Sequence, residues 1–206
     1  MPTSSTRRPD PKRGSKALVV VLGAFGLCLL LLAGGLWLQG RRDDPPRIGG
    51  PFTLTDGSGK TVTDQDLRGK FALIYFGYTY CPDVCPTALQ DVAVALATLG
   101  PKADGLRPVF ITVDPVRDTP PVIGAYVAAF SPRLIGLTGS AAQIASVERA
   151  YHVYSAVHRT GPGKDDYSVD HSSVLYLMAP DGSFVAPIPA DENGPDLAAD
   201  LARHLS

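Results

Sequence analysis

The sequence predicts an α/β domain, a central mixed sheet flanked by helices, carried behind one membrane-spanning helix. Three observations lead there. From residue 51 onward, short β-branched and aromatic runs alternate with amphipathic helical patterns, and a late hairpin closes the series. Cys81 and Cys85 sit in the turn between the first buried strand and the helix that follows it. Near the start, Ala17 to Leu38 runs for 22 residues without a charge.

Residues 1–16 carry Arg7, Arg8, Lys12, Arg13 and Lys16 against Asp10 alone, and read as a disordered basic tail on the cytoplasmic side. This net +4, in a chain of 206 residues whose formal charge is −1, leaves −5 for the remainder. Nucleic-acid binding needs a basic face, so it is excluded as a function. Ala17 to Leu38 is long enough to cross a bilayer at about 1.5 Å per residue. Trp37 falls at its far end, where an interfacial aromatic belongs. A cleaved signal sequence has a shorter apolar core of about 7–15 residues, and Leu32-Ala33-Gly34-Gly35 lacks the cysteine of a lipoprotein box. Five basic residues precede the run, while Arg41, Arg42 and Arg47 after it are offset by Asp43 and Asp44. The expectation is an N-terminus inside and an exported domain, in a compartment that permits disulfides. Residues 39–50 form a Gly/Pro/Arg linker, and 51–206 the domain.

Within the domain, Phe52–Thr55 and Lys60–Thr63 flank Asp56-Gly57-Ser58-Gly59, a hairpin signal. Phe71 to Phe76 is a short buried strand. After the cysteines, Leu89, Val92, Ala93, Leu96 and Leu99 recur at helical spacing until Gly100-Pro101. Pro108 to Val113 is a strand. Thr119 caps a helix with Pro120 at its first position, and Val122, Ile123, Tyr126, Val127 and Phe130 line one face. Leu134 to Leu137 is a strand, and Ser140 to Gln143 a capping box that opens a helix through Tyr151. Val153–Val157 and Ser173–Met178 are strands separated by a loop. Pro180-Asp181-Gly182 turns into Ser183–Ile188, and Leu197 to Leu205 closes the chain as a helix. A CxxxC at the first strand–helix turn of such a sheet indicates a thioredoxin-like fold.

Pro82 disfavours a helical conformation at Cys81, and Pro86 suits the first helical position, which puts Cys85 at or near the N-cap. There, free N–H groups and the helix dipole favour the thiolate, the form that attacks disulfides and binds soft metals. The pair is open to three readings: a disulfide staple, a redox couple or a metal clip. A staple closing so short a loop stabilises by only on the order of 2 kcal/mol. Cys28, inside the apolar run, is a small hydrophobe. A third ligand would separate metal binding from redox work. Of the histidines, His204 lies in the last turn of the closing helix, while His152 and His158 fall in or beside a strand. His171 sits in Val169-Asp170-His171-Ser172-Ser173 at the mouth of a strand, where functional loops occur.

Tyr75-Phe76-Gly77-Tyr78-Thr79 followed by Cys81-Pro82-Asp83-Val84-Cys85-Pro86 resembles the signature of the Sco/SenC family. Val113-Asp114-Pro115 with Arg117-Asp118-Thr119-Pro120 is similar to its second motif, and Asp170-His171-Ser172 to its third. Asp66-Leu67-Arg68-Gly69-Lys70 and Tyr176 to Gly182 also match, so the resemblance covers residues 50–205. It implies a membrane-tethered, thioredoxin-like copper chaperone for cytochrome c oxidase assembly. It also implies a copper ion held by Cys81, Cys85 and His171.

Two thiolates and an imidazole suit Cu(I), and can hold Cu(II) in a more open geometry. Asp170 and Asp114 are candidates to support the ligands, and Tyr78 and Tyr80 to wall the site. The implied partners are the copper-accepting oxidase subunit, a periplasmic copper donor or thiol reductant, and the membrane. The location is a bacterial inner membrane with the domain in the periplasm, the mitochondrial intermembrane space being the alternative. A competing function is a thiol–disulfide reductase that keeps the acceptor's cysteines reduced. Peroxidase activity is a third reading, for which a histidine is not needed.

Overall fold

The computed structural model describes residues 22–23, 25–35 and 47–205. The basic tail, the ends of the expected span with Trp37, and most of the linker lie outside the described residues. The chain divides into two units, Met1–Pro46 and Arg47–Ser206. In the first, helix α1 (Phe25–Gly35) is apolar, and Leu27 and Leu29 to Leu32 are exposed along it.

The second unit runs β1 (Thr53–Asp56), β2 (Thr61–Thr63), β3 (Phe71–Gly77), α2 (Val84–Leu99), β4 (Leu106–Thr112), α3 (Pro120–Ala128), β5 (Ile135–Thr138), α4 (Ala141–Tyr151), β6 (Ser155–Arg159), β7 (Tyr167–His171), β8 (Val174–Met178), β9 (Phe184–Pro189) and α5 (Gly194–His204). Seven strands form one sheet in the order β2-β1-β5-β4-β3-β8-β9. β3 runs parallel to β4, and β4 to β5, through the crossover helices α2 and α3. The outer pairings β1–β5, β3–β8 and β8–β9 are antiparallel. This is the mixed sheet expected of a thioredoxin-like fold.

The strand β3 is apolar throughout because both its faces are covered. Leu73 and Tyr75 pack with Leu89, Val92 and Leu96 of α2, with Ile123 and Val127 of α3, and with Leu197 and Leu201 of α5. Ala72, Ile74 and Phe76 face the opposite way, onto Leu54 and onto Ile144, Val147 and Tyr151 of α4. Two-residue periodicity thus divides one strand between two cores. The segment Val84–Gly105 is apolar enough by composition to cross a membrane, yet its apolar face is spent on this sheet.

Strand β7 and the start of helix α5 differ from the sequence expectation. Tyr167–His171, expected as loop, is a strand that pairs antiparallel with β6 in a separate two-stranded sheet. Its polar alternation hides it, because only Val169 is fully buried. The intervening loop is closed by Asp166, whose backbone oxygen accepts from Thr160 N–H at 2.9 Å and whose carboxylate accepts from Gly163 N–H at 2.8 Å. Helix α5 begins at Gly194, before the expected Leu197, because the Asn193 side chain caps it by accepting from Asp196 N–H.

Candidate metal centre

Strand β3 delivers the cysteine loop. Beyond Gly77 the Tyr78 side chain turns inward, and Cys81 N–H donates to Tyr78 O at 3.2 Å, closing a turn. Thr79 is pinned from below. Its N–H and Oγ1 donate to the Asp118 carboxylate at 3.0 and 2.6 Å, which also accepts from Thr112 Oγ1 at 2.6 Å. Asp118 is fully buried; burial pushes its carboxyl upward and the three donors oppose that.

Helix α2 begins at Val84 with Asp83 at the N-cap, two residues earlier than the prolines suggest. Cys85 is therefore the second helical residue and Pro86 the third. Pro86 is tolerated because the first four N–H groups of a helix have no partner within it. This register redirects the helix N-terminus. Cys85 N–H donates to Cys81 Sγ at 3.4 Å, so Cys81 rather than Cys85 receives the thiolate-favouring environment.

Cys81 is pushed down to about 3, chiefly by the Cys85 thiol bonding to it and further by the Cys85 and Asp83 backbone N–H groups, against a desolvation cost. Cys85 is fully buried and moves the opposite way: its bond to Cys81, burial and the Cys81 charge all hold its proton on. The pair shares one proton, and Cys85 carries it.

The histidine arrives from β7. His171 Nε2 lies 3.2 Å from Cys85 Sγ, and Nδ1 lies 3.1 Å from Ser172 O. A carbonyl only accepts, which assigns the proton to Nδ1 and leaves the Nε2 lone pair facing the cysteines. The three ligand atoms of Cys81, Cys85 and His171 all lie within 4.8 Å of one another. Aromatic rings surround them. Tyr75 and Tyr78 present edges to the His171 ring at 6.0 and 5.9 Å, and Tyr75 Oη donates to Cys85 Sγ at 3.9 Å. Tyr126 Oη is buried without a hydrogen-bond partner among the described residues; burial, and the negative charge of the cysteine pair, push that phenol up.

Other candidates are placed elsewhere. The Asp170 carboxylate pairs with His158 Nε2 at 2.9 Å on the exposed side of the hairpin, so it does not orient His171; Ser172 O does. Successive strand residues point to opposite faces, which is why. His152 ends α4 in a left-handed conformation, φ 53°, and His204 lies in the last turn of α5. Asp114 holds the Arg117 guanidinium at 2.5 Å and accepts from Tyr167 Oη at 2.8 Å. Of the two expected wall residues, Tyr78 is buried and Tyr80 exposed. The sequence reading did not single out Tyr75, Tyr126 or the Thr79–Asp118 bond. These act across strands, beyond the reach of local spacing.

The family model described as SCO1/SenC matches residues 40–206. The chain belongs to the SCO1/SenC family. It is 43% identical over 155 residues to "Protein sco1" of Schizosaccharomyces pombe, covering 74% of this chain and 59% of that protein. It thus spans 59%, 57% and 54% of the length of the Schizosaccharomyces pombe, mouse and human Sco1 proteins that it matches. The structure of ScoI of Bradyrhizobium japonicum with copper bound is similar at 49% identity and TM-score 0.69, covering 76% of this chain and 98% of that one. A third SCO1/SenC member, BsSco, has a structure described by a disulfide switch in the Sco family of cytochrome c oxidase assembly proteins. It is 26% identical at TM-score 0.59, covering 79% of this chain and 96% of that one. Relatives include mitochondrial and bacterial proteins.

Proposed function

We propose that this chain is a copper chaperone that binds copper through Cys81, Cys85 and His171 and passes it to an accepting subunit of cytochrome c oxidase. The observation that carries this is the three-donor cluster itself, with its ligand atoms within 4.8 Å. The donors fit Cu(I): two soft sulfurs and one imidazole nitrogen, without the fourth protein ligand that structural zinc sites use. Their protonation fits as well. Cys81 is already thiolate, Nε2 is already free, and only Cys85 must release a proton. Copper is cargo here, so access matters. Cys81 and His171 are part-exposed while Cys85 is buried, an arrangement that leaves an approach for an acceptor's own thiol and imidazole ligands.

The apolar helix α1 and the charge bias around it support a single-pass anchor at residues 17–38, with the N-terminus inside and the domain in the periplasm of a bacterial inner membrane. A copper donor or a thiol reductant in the same compartment would load or reset the pair.

The test is Cu(I) binding by the reduced domain, residues 40–206, measured by competition with a chromophoric chelator. His171→Ala is expected to weaken binding strongly while disulfide exchange by the cysteines survives. An unchanged affinity would refute the three-ligand reading. The disulfide form is expected to bind no Cu(I), since both thiolates are consumed.

A second reading, thiol–disulfide reductase, is favoured by the asymmetry of the two thiols. The Cys81 thiolate attacks an acceptor disulfide and releases one acceptor thiolate. Cys85 then gives up its proton and attacks Cys81 Sγ, releasing the second. The acceptor gains two electrons and the Cys81–Cys85 disulfide forms.

A further inference from the structure

The ligands come from two differently held parts of the fold. Cys81 and Cys85 follow β3, a central strand bonded on both edges. His171 ends β7, whose only backbone ladder among the described residues is with β6, in a sheet of two strands. No ladder of the main sheet therefore sets the direction from which His171 approaches the thiols. Its C-terminal side is tethered through Ser172 and Ser173 to the start of β8. The other end of β7 needs another tie.

Arg117 supplies one. Its side chain is 8% exposed and is paired with Asp114, itself 4% exposed, at 2.5 Å. Nη1 donates to Tyr167 O at 3.0 Å and to Asp165 O at 3.3 Å, at the entry to β7. The guanidinium lies 3.6 Å over the Tyr167 ring, and Tyr167 Oη closes the loop by donating to Asp114 at 2.8 Å. The same cation sits 4.8 Å from the Tyr80 ring and 5.6 Å from the Tyr78 ring, the residues that flank the turn into Cys81. Nη2 is buried with no hydrogen-bond partner among the described residues, on a guanidinium that lies among three aromatic rings. One buried cation thus touches the second motif, the cysteine loop and the histidine strand.

We propose that Arg117 is a positioning residue for the metal centre, clamping the Tyr167 end of β7 against the cysteine loop so that His171 Nε2 is held at the thiols. The proposal rests on the copper reading above for its consequence and on geometry for its mechanism. Lysine does not substitute, because an ammonium cannot meet Asp114, two carbonyls and a ring face at once. Supporting groups of this kind affect metal affinity by about ten- to a hundredfold.

The test is a double-mutant cycle on the full chain in detergent. Removing Arg117 alone leaves Asp114 buried and unpaired, so the variant is Arg117→Gln combined with Asp114→Asn. It is placed in the wild-type and in the His171→Ala backgrounds, and Cu(I) affinity is read by chelator competition. The expected result is a tenfold or greater loss in the first background and none in the second. A loss persisting without His171, or no loss in either background, overturns the proposal. Amide hydrogen exchange of the apo reduced protein gives a readout free of copper. Residues 167–171 should exchange faster in the variant while 72–77 do not, and unchanged exchange at 167–171 also overturns it. If His171→Ala itself leaves copper affinity unchanged, the copper reading fails, and the exchange result still decides whether Arg117 holds the strand.

Discussion

Gly77 ends β3 directly behind the cysteines, and a methyl group there tests how tightly Cys85 is boxed. A Cβ at Gly77 would lie 2.6 Å from Cys85 Sγ and 2.8 Å from Phe110 Cε2. Comfortable separation is about 3.5–4.0 Å, so each contact is short by about 1 Å. Neither neighbour has room to retreat. Cys85 Sγ already has His171 Nε2 at 3.2 Å and Tyr75 Oη at 3.9 Å beyond it. Phe110 is fully buried between the Tyr75 and Tyr126 rings. The backbone is held too, since Gly77 O accepts from Val113 N–H at 2.8 Å. Overpacking of this kind costs about 1–3 kcal/mol, which for a domain of this size lowers Tm on the order of 5 °C. Because Sγ is the atom in the way, Gly77→Ala should also weaken Cu(I) binding by about tenfold or more. Gly105→Ala is the control: its Cβ would meet only Leu205 Cδ2, at 3.8 Å, and both quantities should stay at wild-type values. Calorimetry with chelator competition reads both. If Gly77→Ala keeps wild-type Tm and affinity, the steric reasoning is wrong. If Tm falls while affinity holds, Phe110 yields and Cys85 does not.

Thr79→Val removes one donor to the buried Asp118 while keeping the backbone N–H; a loss of about 1–3 kcal/mol is expected in denaturant titration, and a neutral result would show that the cysteine loop does not depend on that bond. The lowered Cys81 value, about 3, implies that alkylation of Cys81 by iodoacetamide is nearly flat from pH 5 to 8, whereas an ordinary thiol reacts about tenfold faster per pH unit. The same depression has a linkage sign: the unfolded chain, with a thiol near 8.5, binds the extra proton between about 3 and 8.5. The stability Cys81 contributes is therefore complete above that range and is lost as pH falls toward 3. The difference in unfolding free energy between wild type and Cys81→Ala should rise with pH from 4 to 8, and a flat or falling difference would contradict the assignment.

What was legible in the sequence was whatever repeats locally. The apolar run Phe71–Phe76, the helical spacing from Leu89 to Leu99 and the Ser140–Gln143 capping box each announce an element within a few residues, and each element is present. β7 was not legible, because its only fully buried residue is Val169 and its strand identity comes from pairing with β6. The three ligand candidates could be named, two from spacing and one mainly from family resemblance. Which thiol is ionised could not, because that depends on whether α2 starts at Val84 or Pro86, a shift of two residues that hands the Cys85 N–H to Cys81. The second motif carried the least local signal of all. Asp114, Arg117 and Asp118 look like turn residues beside Pro115, and their roles appear only once β4 is laid beside the cysteine loop and the histidine strand.

The difference between the two thiols also sets an order of events. An incoming disulfide or copper-loaded donor meets the part-exposed Cys81, already a thiolate, before it can meet Cys85, which is fully buried and protonated behind it. In the reductase reading, a variant that keeps Cys81 and loses Cys85 should stop at the mixed disulfide, because nothing remains to resolve it. In the domain of residues 40–206, which lacks Cys28, Cys85→Ser is therefore expected to accumulate a stable adduct with a small aromatic disulfide, one equivalent per chain by mass. Cys81→Ser in the same domain should form far less at neutral pH over the same time, since its remaining thiol, Cys85, is buried. In the chaperone reading both variants lose Cu(I), as each removes one sulfur of the cluster. Equal adduct yields from the two variants would mean that the thiols are interchangeable and that the proton does not reside on Cys85.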